Sequence, residues 1–199
     1  MMVAPMPLPA GLTEPAIDSQ AIFRALLDAL SRPGRIKEIG IPVTPPPPLT
    51  NAAAAVGLAM FDLSTPVWVD PHLASPGAVE YLTFHTGCPL ASDPQAAAFA
   101  ILDGSDPIDD FSVFAQGTPE YPDRSATLIF QVQGLAEGVG VRLTGPGIET
   151  EHRLTVDGVL PVFWRAIKNN TACFPLGVDV ILTNGSRVAC LPRTTKVEA

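Results

Sequence analysis

The stretch VDVILTNGSRVACL, Val178 to Leu191, decides the fold. Two apolar runs, Val178–Leu182 and Arg187–Leu191, flank Thr183-Asn-Gly-Ser186. Asn-Gly readily adopts the positive-φ turn whose twist matches two strands, so the runs are predicted to form an antiparallel hairpin. Working outward, Ala126–Gln133 is rich in branched and aromatic residues and reads as the clearest strand. Val139–Leu143 and His152–Val156 flank a glycine-containing turn and suit paired strands, and Leu160–Lys168 suits an amphipathic helix. Further back, Pro66–Asp70 and Ala96–Leu102 suit strands, Gly77–Phe84 a helix and Ile108–Phe114 a helical turn. At the front, Ile22, Phe23, Leu26, Leu27 and Leu30 recur at helical spacing between an Asp18 cap and a Pro33-Gly34 stop. Arg35–Ile39 alternates as a short strand does, and Pro42–Pro48 reads as a stiff extended connector. Thr50 or Asn51 then caps a helix running to Asp62. Strands and helices interleave, which predicts one α/β domain over residues 16–199, a mixed sheet flanked by helices, behind an irregular arm at residues 1–15.

Composition narrows the function. The chain has 199 residues, 47% hydrophobic and 16% charged, with a net charge of −8. That is enough apolar material for one core without metal or disulfide support. An acidic chain lacks the bulk attraction that nucleic-acid backbones require. No apolar run approaches the length of a bilayer span. Met1–Pro9 carries no basic residue, so no signal peptide is expected. Cys88, Cys173 and Cys190 are odd in number and widely spaced, which suits reduced thiols in the cytoplasm. With 22 prolines the elements must be short, and with few charges to solvate the surface an associating subunit is expected.

No familiar catalytic motif is present. The G-x-S-x-G elbow, the H-E-x-x-H pair and the phosphate-binding glycine loops are missing, and no metal-ligand set is expected. Gly145-Pro-Gly147 is a tight turn or a small anion cradle. His85, at a helix end, caps carbonyls or faces a cleft, where with Cys88 it can form a nucleophile pair. Asp179, between valines, needs a partner, for which Arg142 or Arg187 is available; the other reading is a catalytic acid. Arg193, with Thr194 and Thr195, can bind phosphate or lie in a solvated tail. The lysines, Lys37, Lys168 and Lys196, have no setting that suits a pyridoxal Schiff base.

Seven segments in order carry a resemblance: DSQAIFRALLDALSRPG (18–34), TPVWVD (65–70), FHTGCPL (84–90), ATLIFQV (126–132), LTGPGI (143–148), FPLGVDVIL (174–182) and PRTT (192–195). Together they resemble the PhnH family, the H subunit of the bacterial carbon–phosphorus lyase system. The resemblance implies an α/β fold similar to pyridoxal-dependent transferases without the cofactor, and no cofactor bound by this chain. It implies a homodimer that acts with G, I and L subunits to let an alkylphosphonate displace adenine from ATP. A radical J subunit then cleaves the carbon–phosphorus bond. The candidate positions it carries over are Arg24, Thr144, Gly145, Gly147 and Arg193 for phosphate or ligand, and His85 and Asp179 for catalysis. A stand-alone phosphate-ligand enzyme and a pure scaffold subunit are the alternatives.

Overall fold

The hairpin is where the pattern places it. In a computed structural model that describes residues 8–198, β7 (Asp179–Asn184) and β8 (Arg187–Leu191) pair antiparallel, and Gly185 turns between them at φ +59°. Around it are α1 (Pro15–Ser31), β1 (Lys37–Glu38), α2 (Asn51–Met60), β2 (Val67–Val69), α3 (Pro76–Thr86), β3 (Phe99–Asp103) and β4 (Thr127–Gln131). Between β4 and β7 come β5 (Gly134–Thr144), β6 (His152–Asp157) and α4 (Pro161–Ala172), and β9 (Lys196–Glu198) ends the fold. Six strands form a mixed sheet in the order β1-β8-β7-β4-β3-β2, in which β2, β3, β4 and β7 run parallel.

Alternation along these strands explains their unbroken apolar runs. Ile101, Ile129, Ile181 and Cys190 face α1, α2 and α3. Leu102, Leu128, Phe130, Val180, Leu182 and Leu191 point the other way. That second face is covered by α4 and by the chain around Phe111 and Phe114. A sheet buried on both sides has no solvent face on which to place polar residues. In α2, every residue from Ala52 to Gly57 is buried, and the small side chains let this helix lie close to the sheet.

The architecture corrects several expectations. A second sheet, β6-β5-β9, stands beside the first, so a single mixed sheet was too simple. The expected solvated tail instead forms β9, whose Val197 pairs with Leu143 of β5 and is buried. Helix α1 opens at Pro15, and Asp18 accepts the Glu14 amide at 2.9 Å from within its first turn rather than capping from outside. Of the expected arm, residues 1–7 lie outside the described residues, as does most of the segment read for a signal peptide. Residues 8–14 form no helix or strand, yet Leu8 and Leu12 pack on the core. The proline connector is docked rather than free: Ser75 Oγ donates to Pro47 O, Gln131 Nε2 donates to Pro48 O, and Val43 is buried.

Candidate functional site

Asp179 begins β7, and the chain returns beside it at Arg193 after β8. The partner of Asp179 is Arg193, not Arg142 or Arg187. The Arg193 amide donates to Asp179 Oδ1 at 2.9 Å, Nε donates to Oδ1 at 3.3 Å, and Nη2 donates to Oδ2 at 2.6 Å. Nη1 reaches Pro122 O and Pro175 O, and Nη2 also reaches Ser125 Oγ. A guanidinium has five N–H bonds, and these contacts engage all five. The side chains are only 13% and 28% exposed, so the pair clamps the residue 122–125 turn to the ends of β7 and β8. A phosphate would have to displace one of these contacts. Arg142 is paired with Glu151 through Nε and with Glu198 through Nη1. Arg187 donates to Leu135 O and Asn184 Oδ1.

The glycine turn after β5 is a packing device. Thr144 pairs with Lys196, Gly145 has φ +130° and Gly147 has φ +82°. A Cβ on Gly147 would lie 2.2 Å from Ser31 O, and one on Gly145 would lie 2.9 Å from Thr194 O. The turn therefore wedges between the end of α1 and the approach to β9. The hollow beside it, about 240 Å³, is lined by Arg35 and His152 but also by Glu149 and Glu151, whose charge opposes a phosphate. Arg24 is exposed on α1 and forms no ion pair among the described residues. Its neighbour Phe23 lines a small apolar hollow of about 90 Å³ that reaches Thr127 and Asp179.

His85 holds the N-terminal segment. It sits in the last turn of α3, its Nε2 lies 2.9 Å from Pro9 O, and its ring meets Tyr81 and Phe84 edge-on. Since a carbonyl only accepts, Nε2 carries the proton in this contact. Tyr81 adds a second tie, its hydroxyl donating to Ala10 O. Cys88 is buried, and burial pushes its thiol up, away from the nucleophilic thiolate. The predicted residues thus occupy four places rather than one: the Asp179–Arg193 clamp, the glycine wedge, the His85 latch and the exposed face of α1 that carries Arg24. Their hydrogen-bonding partners do not overlap.

Two features escaped the sequence reading. Along α4 and β9 runs an open groove of about 890 Å³, lined by Trp164, Arg165, Lys168, Thr171 and Lys196 together with Glu198. Lys168 and Lys196 are two of the protein's three lysines, and both are exposed. Next to Lys196, the buried Thr195 hydroxyl lacks a hydrogen-bond partner among the described residues. The groove is illegible in the sequence because one of its walls, β9, forms only by pairing with the distant β5. The second feature is a convergence of Asp70, His72 and Asp106, which offer ligand atoms within 4.8 Å of one another. Its local signal was the Asp-Pro-His sequence closing a strand; the third member lies 36 positions further along.

Comparisons with known proteins bear on what these sites serve. Residues 10–198 match the family model described as bacterial phosphonate metabolism protein (PhnH). The chain is 39% identical over 185 residues to alpha-D-ribose 1-methylphosphonate 5-triphosphate synthase subunit PhnH of Rhizobium meliloti (strain 1021), covering 93% of this chain and 92% of that one. It is 35% identical over 181 residues to the putative C-P lyase subunit protein HtxG of Stutzerimonas stutzeri, covering 89% and 85%.

Proposed function

This chain belongs to the PhnH family of bacterial phosphonate metabolism proteins, and on that premise we propose that it is a subunit of the carbon–phosphorus lyase system. With partner subunits it supports the displacement of adenine from ATP by an alkylphosphonate. A phosphonate oxygen attacks C1′ of the ribose, the C1′–O bond forms, and the C1′–N9 bond breaks. Adenine leaves with the electron pair and takes up a proton, giving ribose 1-methylphosphonate 5-triphosphate. The observation that carries this reading is the near end-to-end match to a relative named as a subunit of the synthase.

The residue environments favour a supporting role. Arg142, Arg193 and His85 are each engaged within the chain, so no phosphate site with an acid–base group is assembled from them. The α4–β9 groove offers exposed cations on an otherwise acidic protein, and we assign it to the anionic substrate or to the partner that holds it. Exposed Ile17, Phe23 and Leu27 on α1 suit association, in a homodimer or with the G, I, J and L subunits. ATP belongs to the assembled complex in this reading, and this chain uses no pyridoxal phosphate. Kinship with pyridoxal-dependent transferases and a cytoplasmic setting are parts of the same proposal. Among the described residues no helix is long and apolar enough to cross a membrane.

The test is reconstitution. Adenine release from ATP and methylphosphonate, followed by chromatography, is expected from the assembled subunits and lost when this chain is omitted. Lys168→Glu with Lys196→Glu is expected to reduce release about tenfold while the melting temperature holds. Turnover by the purified chain alone would establish a stand-alone enzyme, and full activity without it would remove the subunit reading.

A further inference from the structure

We propose that Asp70, His72 and Asp106 form a site for one divalent transition-metal ion, Zn²⁺ or Mn²⁺, at the carboxyl ends of β2 and β3. His72 Nδ1 lies 3.3 Å from Asp106 Oδ1 and 3.7 Å from Asp70 Oδ1. Two donors each about 2.1 Å from a tetrahedral ion lie about 3.4 Å apart, so a common ion needs little side-chain movement.

Asp70 occupies a sheltered place within this group of three. Its side chain is only 7% exposed. Among the described residues it accepts one hydrogen bond, from the His72 amide to Oδ1 at 2.8 Å. It faces the Asp106 carboxyl, a ligand oxygen of each lying within 4.8 Å of the other. Neither carboxylate forms an ion pair with a lysine or arginine among the described residues; His72 alone approaches both. Two carboxylates facing each other in a sheltered place need a proton or a cation between them. Asp103, at the end of β3, and Asp110 add negative charge along the same stretch, while Asp109 is paired with Arg165.

The surroundings suit a preorganised site. The Asp70 amide donates to Ile101 O, and Asp70 O accepts from the Leu73 and Ala74 amides. On the other side, the Asp106 amide donates to Asp103 O, and the Ile108 amide donates to Asp106 O. Both carboxylates are thus carried on backbone tied to the sheet, where open α/β sheets place ligands. Elsewhere on that edge the polar groups are engaged: Gln131 Oε1 accepts the Thr50 amide, and Asn184 Nδ2 donates to Val132 O. The His72 side chain is 76% exposed, which leaves a path for entry. Three protein ligands leave coordination positions for water or an anionic oxygen. An imidazole beside carboxylates favours Zn²⁺ or Mn²⁺ over Ca²⁺, which prefers six to eight oxygens.

The full chain, stripped with chelator, is titrated with ZnCl₂ and with MnCl₂ by calorimetry and melted with and without each ion. One ion per chain is expected, with a rise of several degrees in melting temperature. His72→Gln, an exposed change that leaves the core alone, and Asp106→Asn are each expected to weaken binding tenfold or more. Cys173→Ser is expected to bind as the wild type does. Stoichiometry well below one for both ions, or full binding retained by His72→Gln, overturns the proposal and leaves a shared proton as the link between the two carboxyls.

Discussion

The two ends of the parallel strands treat a carboxylate in opposite ways. At the amino end of β7, Asp179 receives three hydrogen bonds from Arg193, whose remaining donors reach Pro122, Pro175 and Ser125. At the carboxyl end of β2, Asp70 meets another carboxylate and an exposed imidazole. The first arrangement is electrostatically closed and the second is open. A closed pair is best explained by folding, because nothing is left over for a ligand. An open one carries a cost that folding alone does not explain, and binding can offset it.

The largest expected effect breaks the closed end. Arg193→Ala strands Asp179 and releases the residue 122–125 turn, and should cost about 3 kcal/mol of stability. Denaturant unfolding measures it. Wild-type stability combined with lost activity in the assembly would instead make Arg193 a ligand-binding residue. Next, Gly147→Val forces a β-branched residue into φ +82° against Ser31 O and should cost about 2 kcal/mol. A melting temperature unchanged by this substitution would show that the wedge against α1 yields easily.

The smallest effect sharpens the open end. In metal-free protein the native state holds the Asp70 proton more tightly than the unfolded chain does, because its carboxyl is raised to about 6. This group's contribution to stability is therefore fully present below about pH 4 and is lost as the pH rises through about 6. Comparing wild type with Asp70→Asn across that window isolates the contribution. Asp106→Asn should flatten the slope without abolishing it, since burial is the larger cause of the shift. A wild-type profile that matches that of Asp70→Asn would show that the Asp70 carboxyl is not raised, and an Asp106→Asn profile that matches wild type would show that the two carboxyls do not interact.

Local chemistry made much of the fold legible. Asn184-Gly185 announced the hairpin, Thr50 capped α2 through a bond from the Ala53 amide, and Pro33-Gly34 marked the stop of α1, which ends at Ser31. Each is a matter of a few consecutive residues. β9 was missed because Lys196–Glu198 has only one buried apolar side chain, and its pairing with β5 comes from residues over 50 positions away. The same limit hid the sites. Arg193 was visible as a possible phosphate ligand, but nothing near it in the chain says that Asp179, Pro122 and Ser125 converge to occupy it.

The amino-acid sequence by itself determined the strand and helix segments other than β9, and the family, because those rest on periodicity, turn chemistry and ordered motifs. Only the tertiary structure decided which charged groups are engaged and which are left facing one another. Asp179 and Asp70 are both carboxylates at strand ends with valines beside them. One is met by a guanidinium and the other by a carboxylate because of how distant loops fold back over the sheet, and electrostatic energy depends on distance in space rather than along the chain.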